Sequence, residues 1–230
     1  MGSSCPKVLM PVAGRPMLEY VIAAARTAGV DRVVLVIGAS GQEVRSRFQD
    51  EVEDLVIQPE QKGTADAVLC CRNLLTFDNE CVVVYGDVPL MSGTTIRAMV
   101  EARRREAADV AVLTAVLNDP SGYGRVVRGR DGLIEEIVEE RDASDEIRRI
   151  REVNSGFYAF IWGRLLPALE LVRPSPITGE LYLTDAVRQV RAQGGRVVAV
   201  AMSDPSEMSG VNTPEQLAAV SAFMSRRASG

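Results

Sequence analysis

Unbroken apolar runs of strand length constrain this chain more than any other feature. Arg32–Gly38 reads Arg-Val-Val-Leu-Val-Ile-Gly, Cys81–Tyr85 reads Cys-Val-Val-Val-Tyr, and Val110–Leu117 is apolar but for Thr114. Leu55–Ile57 is a shorter run of the same kind. A strand with one wet face alternates apolar and polar residues. A run without alternation is covered on both faces, as in a parallel sheet between helices. The intervening segments supply the helices. Pro16–Ala28 opens on a proline, carries Leu18, Val21, Ile22 and Ala25 on one face, and stops before Gly29. Gln42–Phe48, Thr64–Leu75 and Thr94–Arg105 also read as helices. Strand–helix alternation of this kind implies right-handed crossovers and an α/β, doubly wound, mostly parallel, Rossmann-like sheet.

The second half changes rhythm. Arg125–Arg128, a Gly129-Arg-Asp-Gly132 turn and Leu133–Val138 read as a hairpin. Phe157–Ile161 reads as a strand, Arg164–Leu171 and Leu183–Arg191 as helices, Arg196–Met202 as a core strand and Pro214–Arg226 as a last helix. There is no internal repeat and no low-complexity linker. One domain over residues 1–227 with an inserted small lobe, followed by a tail at 228–230, accounts for the pattern.

Composition narrows the chemistry. The 230 residues contain no histidine. Ser-His-Asp and Cys-His catalysis and histidine metal sites are therefore excluded, leaving carboxylates, amides, Lys, Arg, backbone amides and an oxygen-bound metal; Mg²⁺ fits that set best. The formal charge of −5 without a basic block argues against nucleic acid as a partner. No apolar run is long enough to cross a membrane, and residues 1–10 lack a secretory h-region, so a cytoplasmic protein with no membrane partner is expected. Cys5, Cys70, Cys71 and Cys81 show no zinc spacing and read as reduced thiols. Lysine occurs only at Lys7 and Lys62 in a chain with 26 basic residues. Codon bias explains that scarcity as well as selection for a compact point charge does.

Polar residues gather at the ends of the runs. Tyr85-Gly-Asp-Val-Pro89 follows a buried strand, where open α/β sheets bind ligands; Gly86 permits close backbone approach and Asp87 offers oxygens to a hard cation. Gln58-Pro-Glu-Gln-Lys-Gly-Thr64 lies at another strand end. There Gly63 and Thr64 would expose amides at a helix start, and Gln58 could read a base edge with one donor and one acceptor. Cys5-Pro-Lys-Val-Leu9 could bring Lys7 to a phosphate. Gly122-Tyr-Gly-Arg125, Ile137–Glu140, Glu152-Val-Asn-Ser-Gly156, Gly179–Asp185 and Gly210-Val-Asn212 suit a hydroxyl-rich ligand. Taken singly, each has a plainer reading: Asp87 as a helix cap, Gln58–Thr64 as an ordinary turn, Lys7 as a solvated terminal lysine, the glycines and asparagines as turn chemistry.

Together, in this order and spacing from Cys5 to about Arg226, these segments resemble the sugar nucleotidyltransferase family. The resemblance is to the pyrophosphorylase domain of bacterial bifunctional N-acetylglucosamine-1-phosphate uridyltransferases/glucosamine-1-phosphate acetyltransferases. It implies uridylyl transfer from UTP to N-acetylglucosamine 1-phosphate, giving UDP-N-acetylglucosamine and pyrophosphate. A phosphate oxygen of the sugar phosphate would attack the α-phosphorus of UTP, chemistry that needs positioning and charge neutralisation more than covalent catalysis.

It also implies the roles. Lys7, Asp87 and Asn212 would be catalytic, with Mg²⁺ on Asp87 and Asn212. Lys7, Gln58, Gly63, Thr64, Tyr85, Gly86 and Asp87 would bind the nucleotide. Gly124, Glu139, Asn154, Tyr182 and Thr184 would bind the sugar. The family opens with an apolar strand and a Leu-Ala-Ala-Gly-x-Gly-Thr-Arg-Met loop, whose last residue matches Met1. The expectation is a sheet without its first strand, weakened activity and no acetyl transfer. Two alternatives remain: a sibling transferase using another nucleotide or sugar, and a non-catalytic nucleotide-sugar-binding remnant.

Overall fold

The computed structural model describes residues 5–228, with side chains to Ser225; the match of Met1 to the family loop and the end of the 228–230 tail lie outside the described residues. In chain order the elements are β1 (Pro11–Val12), β2 (Arg15–Pro16), α1 (Met17–Ala28), β3 (Val34–Gly38), α2 (Gln42–Phe48), β4 (Asp54–Gln58), α3 (Thr64–Leu69), β5 (Glu80–Val83) and α4 (Gly93–Arg105). There follow β6 (Val110–Val116), β7 (Arg125–Arg128), β8 (Ile134–Val138), α5 (Asp145–Arg148), β9 (Glu152–Ile161), α6 (Trp162–Glu170), α7 (Leu183–Ala192), β10 (Val197–Ala201) and α8 (Pro214–Ala228). No helix among the described residues is long and apolar enough to cross a membrane.

The α/β class is as expected, but the strand directions are more mixed. β10 pairs β6 in parallel and β3 pairs β4 in parallel. β9 runs antiparallel to β5, β6 and β7, and β7 is antiparallel to β8. The main sheet has the order β10-β6-β9-β7-β8, with β5 on β9, while β3 and β4 form a separate pair. Full coverage, not strand direction, makes the runs continuous: β6 is buried from Val110 to Ala115 while lying between a parallel and an antiparallel neighbour.

Among the described residues, no ladder joins β3 to β5, as expected of a sheet lacking a strand between them. α1 reaches toward both. Leu18 packs in one cluster with Ile37 and Phe48. A Cβ on Gly86, past the end of β5, would stand 3.1 Å from Leu18 Cδ1.

Two expected boundaries move. The helix expected over Thr64–Leu75 stops at Leu69, and a 3-10 turn covers Arg72–Leu74. The strand expected over Phe157–Ile161 begins at Glu152. Asn154-Ser155-Gly156 has turn composition but forms a bulge. Gly156 takes φ 85°, the register slips between Val112 and Thr114, and Ser155 Oγ donates to the Leu113 carbonyl at 2.8 Å.

Two apolar clusters flank the main sheet. Trp162, Leu165, Val187 and Val190 pack on one side. Ile96, Met99, Leu113 and Phe157 pack on the other. Cys70, Cys71 and Cys81 are free thiols, with Cys71 and Cys81 pushed up to about 11 and about 12, foremost by burial. Such thiols are inert packing residues.

Candidate functional site

Three sequence-distant residues meet at one point. Lys7 leads a 3-10 turn after Pro6, Asp87 lies beyond β5, and Asn212 stands just before α8. The Asp87 carbonyl accepts from Val211 N at 3.0 Å, which fixes the loop before α8 against the end of β5. Lys7 Nζ donates to Asp87 Oδ2 at 2.5 Å and to Asn212 Oδ1 at 2.8 Å. Lys7 is thus a bridging cation rather than a solvated terminal lysine. Asp87 caps no helix here; the Ser92 side chain caps α4 by accepting from Thr95 N.

Two hard oxygens converging on one positive charge form a donor set that a magnesium ion can use, with the ammonium as a stand-in. No group of three or more His, Cys, Asp or Glu side chains among the described residues could hold a metal. Two protein oxygens suit a magnesium ion whose other ligands are phosphates and water.

At the end of β4, Gln58 is buried. Its Nε2 donates to the Gly63 carbonyl at 3.1 Å and to Asp66 Oδ2 at 2.8 Å. The carboxylate of Asp66 can only accept, so the amide orientation is fixed. The Gln58 donors therefore serve the turn. Gly63 takes φ 125°, and a Cβ there would stand 2.4 Å from the Leu181 carbonyl oxygen. Ala65 N donates to that same carbonyl at 2.9 Å, and Leu183 N donates to Thr64 Oγ1 at 2.9 Å. The Gln58–Thr64 turn is therefore laced to the segment leading into α7.

Tyr85 joins the parts. Burial pushes its phenol pKa up, with the Glu139 and Asp87 carboxylates acting in the same direction and the Thr64 side chain opposing. A Cβ on Gly156 would stand 2.0 Å from Tyr85 Cε2, so only glycine admits the ring. Beyond it lies a cavity of about 340 Å³ lined by Gly122, Glu139, Glu140, Arg141, Glu180 and Tyr182. A cleft of about 380 Å³ between α4 and β10 holds none of the expected residues. The donor set, not size, selects the smaller one.

Around the smaller cavity, Glu139 Oε1 accepts from Thr184 Oγ1 at 3.0 Å, and a Cβ on Gly124 would stand 3.5 Å from Glu139 Oε2. Burial raises the Glu139 carboxyl; the Thr184 hydroxyl opposes this, and Asp142, Asp185 and Glu180 add to it. Asn154 Nδ2 donates to Tyr158 Oη at 2.7 Å, and its Oδ1 accepts from Gly156 N at 2.9 Å. Tyr182 Oη lies 2.6 Å from Thr178 Oγ1.

The expected residues form two linked groups. One is the Lys7–Asp87–Asn212 cluster; in the other only Glu139 and Tyr182 line the cavity, with Thr184 and Gly124 against Glu139. Sequence reasoning placed Arg125 and Glu180 in ligand-facing segments without giving either side chain a role, and singled out neither Arg141 nor Tyr158. Tyr158 reads as one more strand residue and carries no sequence signal.

Residues 1–155 match the family described as MobA-like NTP transferase domain. The chain is 38% identical over 227 residues to the bifunctional protein GlmU of Caldanaerobacter subterraneus subsp. tengcongensis, covering 99% of this chain and 49% of that one. It is 41% identical over 228 residues to the GlmU of Heliobacterium modesticaldum, covering 99% and 50%. The chain thus spans about half the length of these curated relatives. In fold it is similar to UDP-glucose pyrophosphorylase complexed with UDP-glucose, with a TM-score of 0.77 at 17% identity, over 96% of this chain and 91% of that one. The chain belongs to the MobA-like NTP transferase domain family.

Proposed function

We propose that this domain transfers a uridylyl group from UTP to N-acetylglucosamine 1-phosphate in the cytoplasm, giving UDP-N-acetylglucosamine and pyrophosphate. The observation that carries the reading is the Lys7–Asp87–Asn212 cluster beside a polar cavity, in a chain about 40% identical to GlmU proteins. A lysine ammonium and two cation-binding oxygens are what a triphosphate requires, since phosphoryl transfer rests on charge neutralisation and alignment. Asp87 and Asn212 would hold Mg²⁺, which offsets charge on the phosphates. Lys7 would contact phosphate. Gln58, Gly63 and Thr64 would hold the uracil, and Tyr85 and Gly86 would lie along the ribose and phosphates. Gly124, Glu139, Asn154, Tyr182 and Thr184 would grip the sugar.

Calorimetry with UDP-N-acetylglucosamine, UDP-glucose, dTDP-glucose and GDP-mannose tests the nucleotide and the sugar together. UDP-N-acetylglucosamine is expected to bind tightest. Tighter binding of a non-uridine sugar would transfer the assignment to a sibling enzyme. Binding without pyrophosphate release, even with Mg²⁺ and both substrates, would leave a nucleotide-sugar-binding domain.

A further inference from the structure

Arg125 opens β7, and its side chain is 2% exposed. A buried guanidinium is costly unless it is paired and its donors are used. Here the donors fan out to three segments. Nη1 donates to the Tyr123 carbonyl, and Nε donates to the Arg148 carbonyl at the end of α5, at 3.3 Å. Nη2 stands 2.6 Å from Glu140 Oε2, as an ion pair off the hydrogen-bond axis. Arg148 in turn reaches back to the Glu140 carbonyl at 3.4 Å.

Two of the three partners adjoin the cavity wall: Glu140 lines it and Tyr123 follows Gly122, which does. Tyr123 precedes Gly124, whose carbonyl accepts from Asn154 N at 2.8 Å. Glu140 follows Glu139, and both line the cavity. One side chain therefore fixes the spacing between the Gly124 backbone and the Glu139 carboxylate. The planar fork of arginine spreads its donors over three nitrogens and so spans partners on separate segments; the three donors of lysine share one nitrogen and cannot reach as far apart.

We propose that Arg125 is a positioning residue for the sugar half of the ligand: it sets the cavity wall and touches neither the nucleotide nor the reacting phosphates. The proposal rests on the reading that this cavity holds the sugar. A residue that merely glues the fold would change stability and weaken all ligands alike. A positioning residue of the wall would weaken only the sugar's share of binding.

The test compares UDP with UDP-N-acetylglucosamine by calorimetry on the whole chain and on Arg125→Lys, Arg125→Met and Glu140→Gln, each checked by thermal melting. In both Arg125 variants, UDP affinity is expected to stay within about twofold while UDP-N-acetylglucosamine affinity falls about tenfold. Glu140→Gln should show a smaller fall in the same direction. Parallel loss of both ligands, or loss of neither, overturns the proposal. Should the Arg125 variants fail to fold, Glu140→Gln decides alone, and an unchanged ratio of the two affinities overturns it. Failure of the parent chain to bind UDP contradicts the proposed function itself. Binding of UDP with no gain from the sugar removes the cavity reading, and this proposal with it.

Discussion

β6 and β9 on one hand, and β3 and β5 on the other, are apolar strands of similar composition, yet they are buried to different degrees. Every residue from Val110 to Ala115 and from Val153 to Phe160 is buried. In β3 only Ile37 is buried, and in β5 no residue is. The difference lies in the neighbours. β6 lies between β10 and β9, and β9 has partners on both sides. Among the described residues, β3 pairs only with β4 and β5 only with β9. Apolar sequence specifies a strand; burial comes from what flanks it. The Asp87 end of the candidate site sits on the less covered half, and its cavity borders the better covered one.

The largest effect that would sharpen this contrast comes from filling the open edges. A chain carrying an apolar strand and a Leu-Ala-Ala-Gly-x-Gly-Thr-Arg loop ahead of Met1 is expected to melt about 10 °C higher, as several half-buried backbone groups gain partners worth about 1 kcal/mol each. Its pyrophosphate release should also rise. Equal melting temperatures and equal rates would mean that β3 and β5 are satisfied as they stand.

A smaller effect separates the two halves by side chain. Leu113→Ala empties a fully covered site in β6 and is expected to cost about 3 kcal/mol in denaturant unfolding. Leu35→Ala in β3 removes a half-exposed side chain and should cost about 1 kcal/mol. Equal losses would break the comparison.

The covered half was legible in the sequence because its runs are unbroken: β6 falls within one residue of its expected end. The first half of β9 was not, since a bulge and a turn use the same Asn, Ser and Gly. Lys7, Asp87 and Asn212 could be singled out by residue type. Their meeting depends on the loop before α8 bonding to the end of β5, which no local pattern encodes. Gln58 was expected to offer both a donor and an acceptor, but the donors are used by Gly63 and Asp66, eight residues or fewer away. The reach of Arg125 across three segments is a tertiary property.

The smallest effect concerns Glu139. Its carboxyl is raised by burial, so the folded state holds the proton more tightly than the unfolded chain does. Stability from this group is present below the unfolded pKa and is lost as pH rises through the folded one. Glu139→Gln should therefore melt about 2 °C higher at neutral pH, with the gain vanishing in acid, and should bind UDP-N-acetylglucosamine more weakly. A lower melting temperature at neutral pH would show that the buried charge is well compensated.

The central claim is that Lys7, Asp87 and Asn212 form the phosphate and cation centre. Because Lys7 and Lys62 are the only lysines, selective isotope labelling of lysine gives one signal for the cluster and one for the Gln58–Thr64 turn. Lys62 is paired with Glu60 at 2.9 Å in an exposed position. Adding Mg²⁺ with UTP should shift the Lys7 side-chain signals as the ammonium leaves Asp87, and should leave them in place in Asp87→Asn. A Lys7 signal that ignores Mg²⁺ and UTP, or one that moves equally in Asp87→Asn, would contradict the account.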